Sequence, residues 1–162
     1  MAYDAFLKLD GMDGESTDDK YKGYVEVASW SFGVHHAQTI GSATGGGGSG
    51  KASLADMSIQ KNADKASTVL FQKCATGEHF PKGKLVVRKA GGSQMEYFVV
   101  NMETVFVTSV TFSSAAGDEN ANEHVSFAFG KVGVDYTAQG ADGKPAGGAI
   151  HGGWDQLSNK KY

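Results

Sequence analysis

The chain has 162 residues, of which 40% are hydrophobic and 20% charged, and this composition of an ordinary folded domain excludes a disordered or collagen-like protein. Its net charge of −3 gives no electrostatic reason to expect nucleic acid or anionic lipid as partners, so we predict no nucleic acid binding and no membrane insertion. The single cysteine, Cys74, excludes an intrachain disulfide, and no stretch approaches the ~18 consecutive apolar residues of a membrane helix.

The first predicted elements are two strands separated by a polar turn-rich stretch at residues 10–22. In the segment Tyr3 to Leu9, alternate residues share one side, which predicts an opening strand. The residues of that side are Tyr3, Ala5, Leu7 and Leu9. Tyr24 to His35 alternates as well, but its apolar phase changes near Ala28 and Ser29, which predicts a β-bulge there.

A glycine-rich segment and a third strand come next. The segment GSATGGGGSG, residues 41–50, has too much backbone freedom for a core position and is predicted to be a flexible projecting loop. After it, Ala55, Met57 and Ile59 alternate with polar residues, which predicts a strand with one dry and one wet face.

One helix is predicted, over about residues 64–76. Asp64 is a suitable N-cap and Gly77 a suitable residue just past the end. Its apolar residues form one stripe, so the helix should pack on the outside of the sheets. The stripe consists of Ala66, Val69, Leu70 and Cys74.

The C-terminal half adds more β structure. Strands are predicted at Lys84 to Ala90 and at His124 to Tyr136, and the long run Met95 to Phe112 should be two strands or one bent strand. The tail, residues 140–162, is predicted to be loop-like with Trp154 as its anchor. The fold class is therefore mainly β, a barrel-like or curved two-sheet sandwich with one lateral helix, in a single domain spanning residues 1–162.

The glycine loop contains the best match to a catalytic or nucleotide-binding motif. Gly45 to Lys51 reproduces the spacing of a phosphate-binding loop, G-x-x-x-x-G-K. Ala52 stands where a Ser or Thr hydroxyl should hold magnesium, and a strand follows where a helix should begin. We therefore predict no nucleotide site.

The remaining polar residues form no recognisable catalytic or metal motif. The histidines lack the HExxH and H-x-H spacings, and neighbouring strand residues such as His35 and His36 point to opposite faces. We predict no cofactor, no metal and no enzyme activity. The histidines are His35, His36, His79, His124 and His151.

Several segments, in order and at the right spacing, resemble the haemolysin-coregulated protein (Hcp) family, the tube subunit of the bacterial type VI secretion system. They are GESTDDKYKGYVEVASWSFG at residues 14–33, the glycine loop running into Lys51, DKASTVLFQKCATGEHFPKGKLVVRKAGG at residues 64–92, MEYFVV at residues 95–100, and VGVDY and GGWD near the C-terminus. The resemblance runs nearly from end to end of the chain.

The resemblance implies a β-barrel-like domain whose copies form six-membered rings. The rings would stack into a hollow tube inside a contractile sheath, and tube, VgrG-type spike and effector proteins would leave the cell together. The N-terminus carries Asp4 within its first apolar run and no basic start, so it lacks a secretory signal. We expect assembly in the bacterial cytoplasm and secretion without a signal peptide.

Two groups of residues receive roles from this resemblance. Ser31, with its polar neighbours Ser29 and Glu26, is expected to line the channel and contact effectors, although a solvent-facing strand position would equally explain a serine there. The glycines of the loop, Gly45, Gly46, Gly47 and Gly48, are expected to reach the next ring in the stack.

Alternative functions remain open on sequence alone. A phage tail tube protein would share the fold. A carbohydrate-binding or other small-ligand β-barrel would differ by being monomeric and by retaining a defined ligand, and a small hydrolase using His and Asp is the third class.

Overall fold

The computed structural model describes residues 3–38, 49–91 and 94–162. Within them the chain forms eleven strands and one helix. The strands are β1 (Tyr3–Leu9), β2 (Val25–Val27), β3 (Ser29–Ser31), β4 (Val34–Gln38), β5 (Ser49–Leu54), β6 (Met57–Asn62), β7 (His79–Lys89), β8 (Glu96–Ser113), β9 (Asn122–Tyr136), β10 (Ile150–Asp155) and β11 (Lys160–Lys161), and helix α1 is Ser67–Thr76.

Nine strands form one curved antiparallel sheet, and β4 and β5 form a separate two-stranded sheet. The main path is β11-β10-β9-β8-β7-β1-β2, while β6 pairs with the first part of β9 and β3 pairs with β6. Strands β8 and β9 pair along almost their whole length and so belong to both halves of the sheet. Over the described residues the fold is mainly β with a curved sheet and one helix, as predicted, and neither of the two sheets closes into a barrel.

The two halves of the curved sheet share one hydrophobic core. Leu7 of β1 and Val25 of β2 come from one half, and Ile59 of β6 and Val125 of β9 come from the other. All four are at most 2% exposed. The predicted one-sided arrangement in β1 is confirmed for Ala5, Leu7 and Leu9, which are buried in this core, whereas Tyr3 is exposed. Phe6, in the other phase, is buried in a second cluster.

The predicted second strand is divided into three short strands. The division between β2 and β3 falls at Ala28, where the change of apolar phase predicted a bulge. Strand β2 pairs with β1 and strand β3 pairs with β6, so the chain passes from one half of the sheet to the other at this bend.

Helix α1 is shorter at its start than predicted. It runs from Ser67, and its N-cap is Ala66 without a side-chain cap, so the predicted N-cap Asp64 is wrong. Asp64 instead accepts the N–H of Ala66 in the turn before the helix. The end is as predicted, because Gly77 adopts the left-handed conformation and its N–H bonds to a carbonyl of the last turn.

The C-terminal tail differs from the loop-like prediction. It contains β10, which pairs with β9, and the short β11. The segment IHGGWD lacks apolar alternation, but its glycines allow a close approach: a Cβ on Gly153 would lie 2.7 Å from the ring of Tyr162. The tail is held to the sheet by backbone pairing, which a side-chain pattern does not reveal.

A buried ionic network joins helix α1 to the sheet. The ammonium of Lys61 on β6 donates to Glu123 Oε2 on β9 (2.5 Å) and lies 2.9 Å from Asp64 Oδ1. The side chains of Lys61 and Glu123 are fully buried, and the hydroxyl of Ser67 also donates to Glu123 Oε2 (2.5 Å). The first turn of the helix is thereby fixed against β6 and β9.

A second ionic cluster holds the segment between β1 and β2 against the sheet. Arg88 of β7, which is 4% exposed, donates hydrogen bonds to Asp4 of β1 and to Asp18 of that segment. Its guanidinium also lies 5.0 Å from the ring centroid of Phe6 and 5.2 Å from that of Tyr21, and these two rings are stacked. Arg88 therefore joins three parts of the chain.

Candidate functional site: a serine-lined sheet face

A row of four serines crosses four adjacent strands on the face of the sheet that points away from the core. Ser31 of β3 is opposite Ser58 of β6, Ser58 is opposite Ser126 of β9, and Ser126 is opposite Ser109 of β8. A parallel row contains Ser29, Gln60, His124 and Thr111. We call these eight residues the serine face.

Strand alternation sets this face apart from the core. Trp30, between Ser29 and Ser31, is opposite Ile59, and Ile59 is opposite Val125, both of which are buried. Trp30 packs against that core and stacks on Phe98, at a centroid distance of 5.4 Å. Because side chains alternate along a strand, the neighbouring serines must point outward.

Hydrogen bonds between strands order part of the serine face. The hydroxyl of Ser29 donates to Gln60 Oε1 at 3.1 Å, and the hydroxyls of Ser58 and Ser126 are 3.4 Å apart. Neither row contains a Lys, Arg, Asp or Glu residue. Such a face can exchange hydrogen bonds with water or with a bound protein, but it offers neither strong charge pairing nor a large apolar contact.

Glu26, the third predicted channel residue, lies apart from the serine rows. It stands on β2, opposite Phe6 of β1, and the bend at Ala28 separates it from Ser29. Its exposed side chain lines a cleft of about 580 Å³ that is also bordered by Glu15 and Asp64. The structure thus brings Ser29 and Ser31 together and leaves Glu26 on the neighbouring cleft.

The predicted ring-stacking glycines, Gly45 to Gly48, lie outside the described residues. The strands on either side of that segment, β4 and β5, pair only with each other among the described strands. Val34 at the start of β4 is 63% exposed. Lys51 lies within β5 and not at a helix N-terminus, which is the geometry expected if Gly45 to Lys51 is not a phosphate-binding loop.

The histidines do not converge on a common site. His151 Nδ1 lies 2.6 Å from Asp135 Oδ1, and His35 and His36 are neighbours on β4. Among residues 3–38, 49–91 and 94–162, no group of three or more His, Cys, Asp or Glu side chains is arranged to hold a metal ion. No helix in the same ranges is long and apolar enough to cross a membrane.

The sheet ends at edges that have no partner within the described chain. Strand β3 pairs only with β6, strand β2 only with β1, and β11 only with β10 in the parts of the chain that the structure describes. Unpaired strand edges present free N–H and C=O groups, and another chain can pair with them. The serine face reaches one of these edges at β3.

Comparison with known proteins gives the family. The sequence model of the family described as "Type VI secretion system effector, Hcp" matches residues 6–136. This chain belongs to the Hcp family. A curated Hcp relative, protein hcp1 of Pseudomonas aeruginosa, is 38% identical over 160 residues, which is 98% of each chain.

Solved structures of type VI secretion proteins share the fold over almost the whole chain. A solved structure of a type six secretion system protein has a TM-score of 0.93 and 33% identity, and the match covers 99% of this chain and 100% of that one. Hcp1 from Salmonella typhimurium has a TM-score of 0.81 and 34% identity, with the same coverage. The chain is thus an Hcp protein of the type VI secretion system.

Proposed function

We propose that this Hcp protein is a structural subunit, and not an enzyme, that forms hexameric rings which stack into the hollow tube of the secretion system. The tube carries effector proteins in its channel, lies inside the sheath and bears a VgrG-type spike. The subunits assemble in the bacterial cytoplasm and are secreted with the tube. The observation that carries the proposal is a polar sheet face without Lys, Arg, Asp or Glu residues, which ends at β3, a strand whose outer edge has no partner within the described chain.

The open edges support ring formation. A copy that pairs its β2 and β3 edge with the opposite side of a neighbour leaves its own opposite side free for a third copy. Such a head-to-tail interface closes into a ring when the rotation between copies is right. Pairing also satisfies backbone groups that otherwise risk uncontrolled strand addition.

The chemistry of the serine face supports its assignment to the channel wall. Cargo in a tube must be held during loading and released afterwards, which requires weak and replaceable contacts. Neutral hydroxyl and amide groups provide such contacts because each net hydrogen bond contributes only about 0.5–1.5 kcal/mol. We assign Ser31 and Ser29 to this wall, and Glu26 to its margin at the neighbouring cleft.

The oligomeric state tests the proposed function directly. The full chain, purified without cargo, is expected to give a hexamer in native mass spectrometry and annular particles in electron microscopy. A protein that remains a monodisperse monomer at high concentration would contradict the proposal and would favour the small-ligand barrel.

Replacing Ser31 with arginine is expected to leave the hexamer intact and to reduce the amount of small effector protein that co-purifies with it. A long charged side chain at this exposed position would cover part of the proposed channel wall. Bound cargo would also remove water from the guanidinium, which costs free energy. The measurement is the ratio of effector to Hcp after co-expression. Ser53→Arg, at an exposed serine on β5, is the control, and equal retention in both variants would show that Ser31 does not contact cargo.

Shortening the segment Gly45 to Gly48 is expected to weaken the stacking of rings more than the closure of each ring. The segment lies between β4 and β5, which pair outside the nine-stranded sheet, so its removal leaves the sheet edges unchanged. Tube length in electron micrographs reports stacking, and the hexamer fraction at low concentration reports closure. Loss of hexamers with tubes still formed at high concentration would show that the segment acts within the ring.

A further inference from the structure

A second polar surface lies on the other half of the sheet, beside the buried cluster of Phe6, Tyr21 and Val86. Lys8 of β1 is directly opposite Lys84 of β7, and Lys84 is opposite Asn101 of β8. Like charges directly opposite each other on antiparallel strands destabilise the pair. This row therefore holds two cations where the sheet would favour a cation and an anion.

The adjacent row shows the favoured arrangement. There Lys82, Glu103, Lys131, Asp155 and Lys160 follow one another across five strands, so each charge stands opposite one of the other sign. Glu103 is 3.3 Å from the ammonium of Lys131 and 4.0 Å from that of Lys82. The charges in the row of Lys82 are therefore paired across the strands, whereas Lys8 and Lys84 in the neighbouring row are opposite each other with the same charge.

Only one of the two opposed lysines has an anionic partner. The ammonium of Lys8 is 2.6 Å from Asp13 Oδ1, and this contact lowers the pKa of the Asp13 carboxyl. Lys84 is partly buried, and no carboxylate of the described chain lies within ion-pair distance of its ammonium. A partly buried ammonium without a counter-ion favours binding of an anion beside it.

Lys84 borders a cavity of about 470 Å³. Lys8, Lys82 and Lys131 also line it, together with Tyr24, Tyr162 and two carboxylate residues, Asp10 and Glu103. Glu103 is the carboxylate that already pairs with Lys82 and Lys131. Lys131 additionally lies 4.1 Å from the ring centroid of Tyr162, which places the tyrosine over the β9 side of the opening. We call this cavity the lysine trough; its cationic side chains are Lys8, Lys82, Lys84 and Lys131, and its walls are Tyr24 and Tyr162.

We propose that the lysine trough binds a compact oxyanion, a phosphate or a carboxylate, with Lys84 as its main charged contact. The anion would stand between Lys8 and Lys84 and would replace their mutual repulsion with two attractions. Two sources supply this chemistry, a free phosphate ion or the carboxylate of an acidic protein segment. The site is on the half of the sheet away from the serine face, so the proposal does not depend on ring formation or on cargo.

Titration of the full chain, followed by backbone amide chemical shifts, tests the proposal. Sodium phosphate and a capped tetraglutamate peptide are the two probes, and sodium chloride at equal ionic strength is the reference. Both probes are expected to shift amides of β1 and β7 around Lys8 and Lys84. Tighter binding of phosphate would identify the free ion as the source, and tighter binding of the peptide would identify a protein carboxylate.

Lys84→Gln is expected to weaken binding of the preferred probe about tenfold or more, since it removes a charge-assisted hydrogen bond. Lys84→Arg, which keeps the charge, should bind the preferred probe with an affinity within a few-fold of that of the original chain. This variant shows whether a loss of binding in Lys84→Gln comes from the missing charge or from misfolding. The matched control is Lys144→Gln, at an exposed lysine in the turn before β10. Absence of shifts with both probes, or equal affinity in Lys84→Gln and Lys144→Gln, would overturn the proposal.

Discussion

Glu123→Leu is expected to lower the free energy of unfolding by about 3–5 kcal/mol, because it leaves the fully buried ammonium of Lys61 without its closest counter-ion. Asp64 remains 2.9 Å from that ammonium but is itself at the margin of the network, with 11% of its side chain exposed. Ser67 also loses the carboxylate to which it donates. Urea denaturation at one fixed protein concentration, followed by circular dichroism, measures the loss.

A double variant distinguishes the effect of the unpaired buried charge on stability from the effect of lost packing. Lys61→Met combined with Glu123→Leu is expected to recover most of the lost stability, because two apolar side chains in a dry site need no counter-ion. Glu103→Leu, at a glutamate that is 41% exposed, should cost at most about 1 kcal/mol. If the single Glu123 variant cost no more than this control, the buried network would not stabilise the fold.

Arg88→Met is expected to lower the free energy of unfolding by about 2–3 kcal/mol. The variant keeps apolar contact with Phe6 and Tyr21 but loses the hydrogen bonds to Asp4 and Asp18. The loss should be smaller than that of Glu123→Leu, because the side chains of Asp4 and Asp18 are 41% and 22% exposed and water can solvate them. Urea denaturation at neutral pH measures it.

The pH dependence of the Arg88 variant provides a second readout. The hydrogen bond from Arg88 lowers the pKa of the Asp18 carboxyl below its ordinary value. The unfolded chain therefore takes up the proton first as the pH falls. The stabilisation is fully present well above the ordinary Asp pKa of 3.8 and is lost progressively as the pH falls through the lowered pKa of the folded chain. The difference between the original chain and Arg88→Met should shrink in acid, whereas Lys82→Met, at an exposed lysine, should differ little at either pH. A pH-independent difference would show that packing, and not the ion pair, stabilises this region.

The parts of the fold that the sequence predicts well are those that side-chain periodicity determines. The alternation in Tyr3–Leu9 predicts the limits of β1, and the phase change at Ala28 predicts the bend between β2 and β3. Periodicity gives no signal for β10, where glycines and backbone pairing replace apolar alternation. The long run beginning at Met95 is one strand, β8, with a register shift between Val107 and Ser109, because it serves both halves of the sheet.

The serine face could be predicted only in pieces. Alternation places Ser58 on the wet side of its strand, and the family resemblance singles out Ser31, but nothing in the sequence indicates that the two lie opposite each other. The position of Ser109 is even harder to predict, because the register shift in β8 reverses the face of every residue that follows it. The serine face is defined by which residues lie opposite each other on neighbouring strands. This register is a property of the folded sheet, and the sequence of a single strand does not reveal it.

The pairing of β1 with β7 has a consequence for synthesis on the ribosome. Tyr3 lies opposite Lys89 and Leu9 opposite Gly83. Strand β1 therefore cannot pair with β7 until the ribosome has synthesised the chain as far as Lys89. At about 5–20 residues per second, the wait lasts roughly 4–16 s. During that time Leu7 and its apolar neighbours have no β7 against which to pack. Growth of the nascent chain, and not local collapse at its beginning, therefore sets the earliest moment at which this subunit can become native.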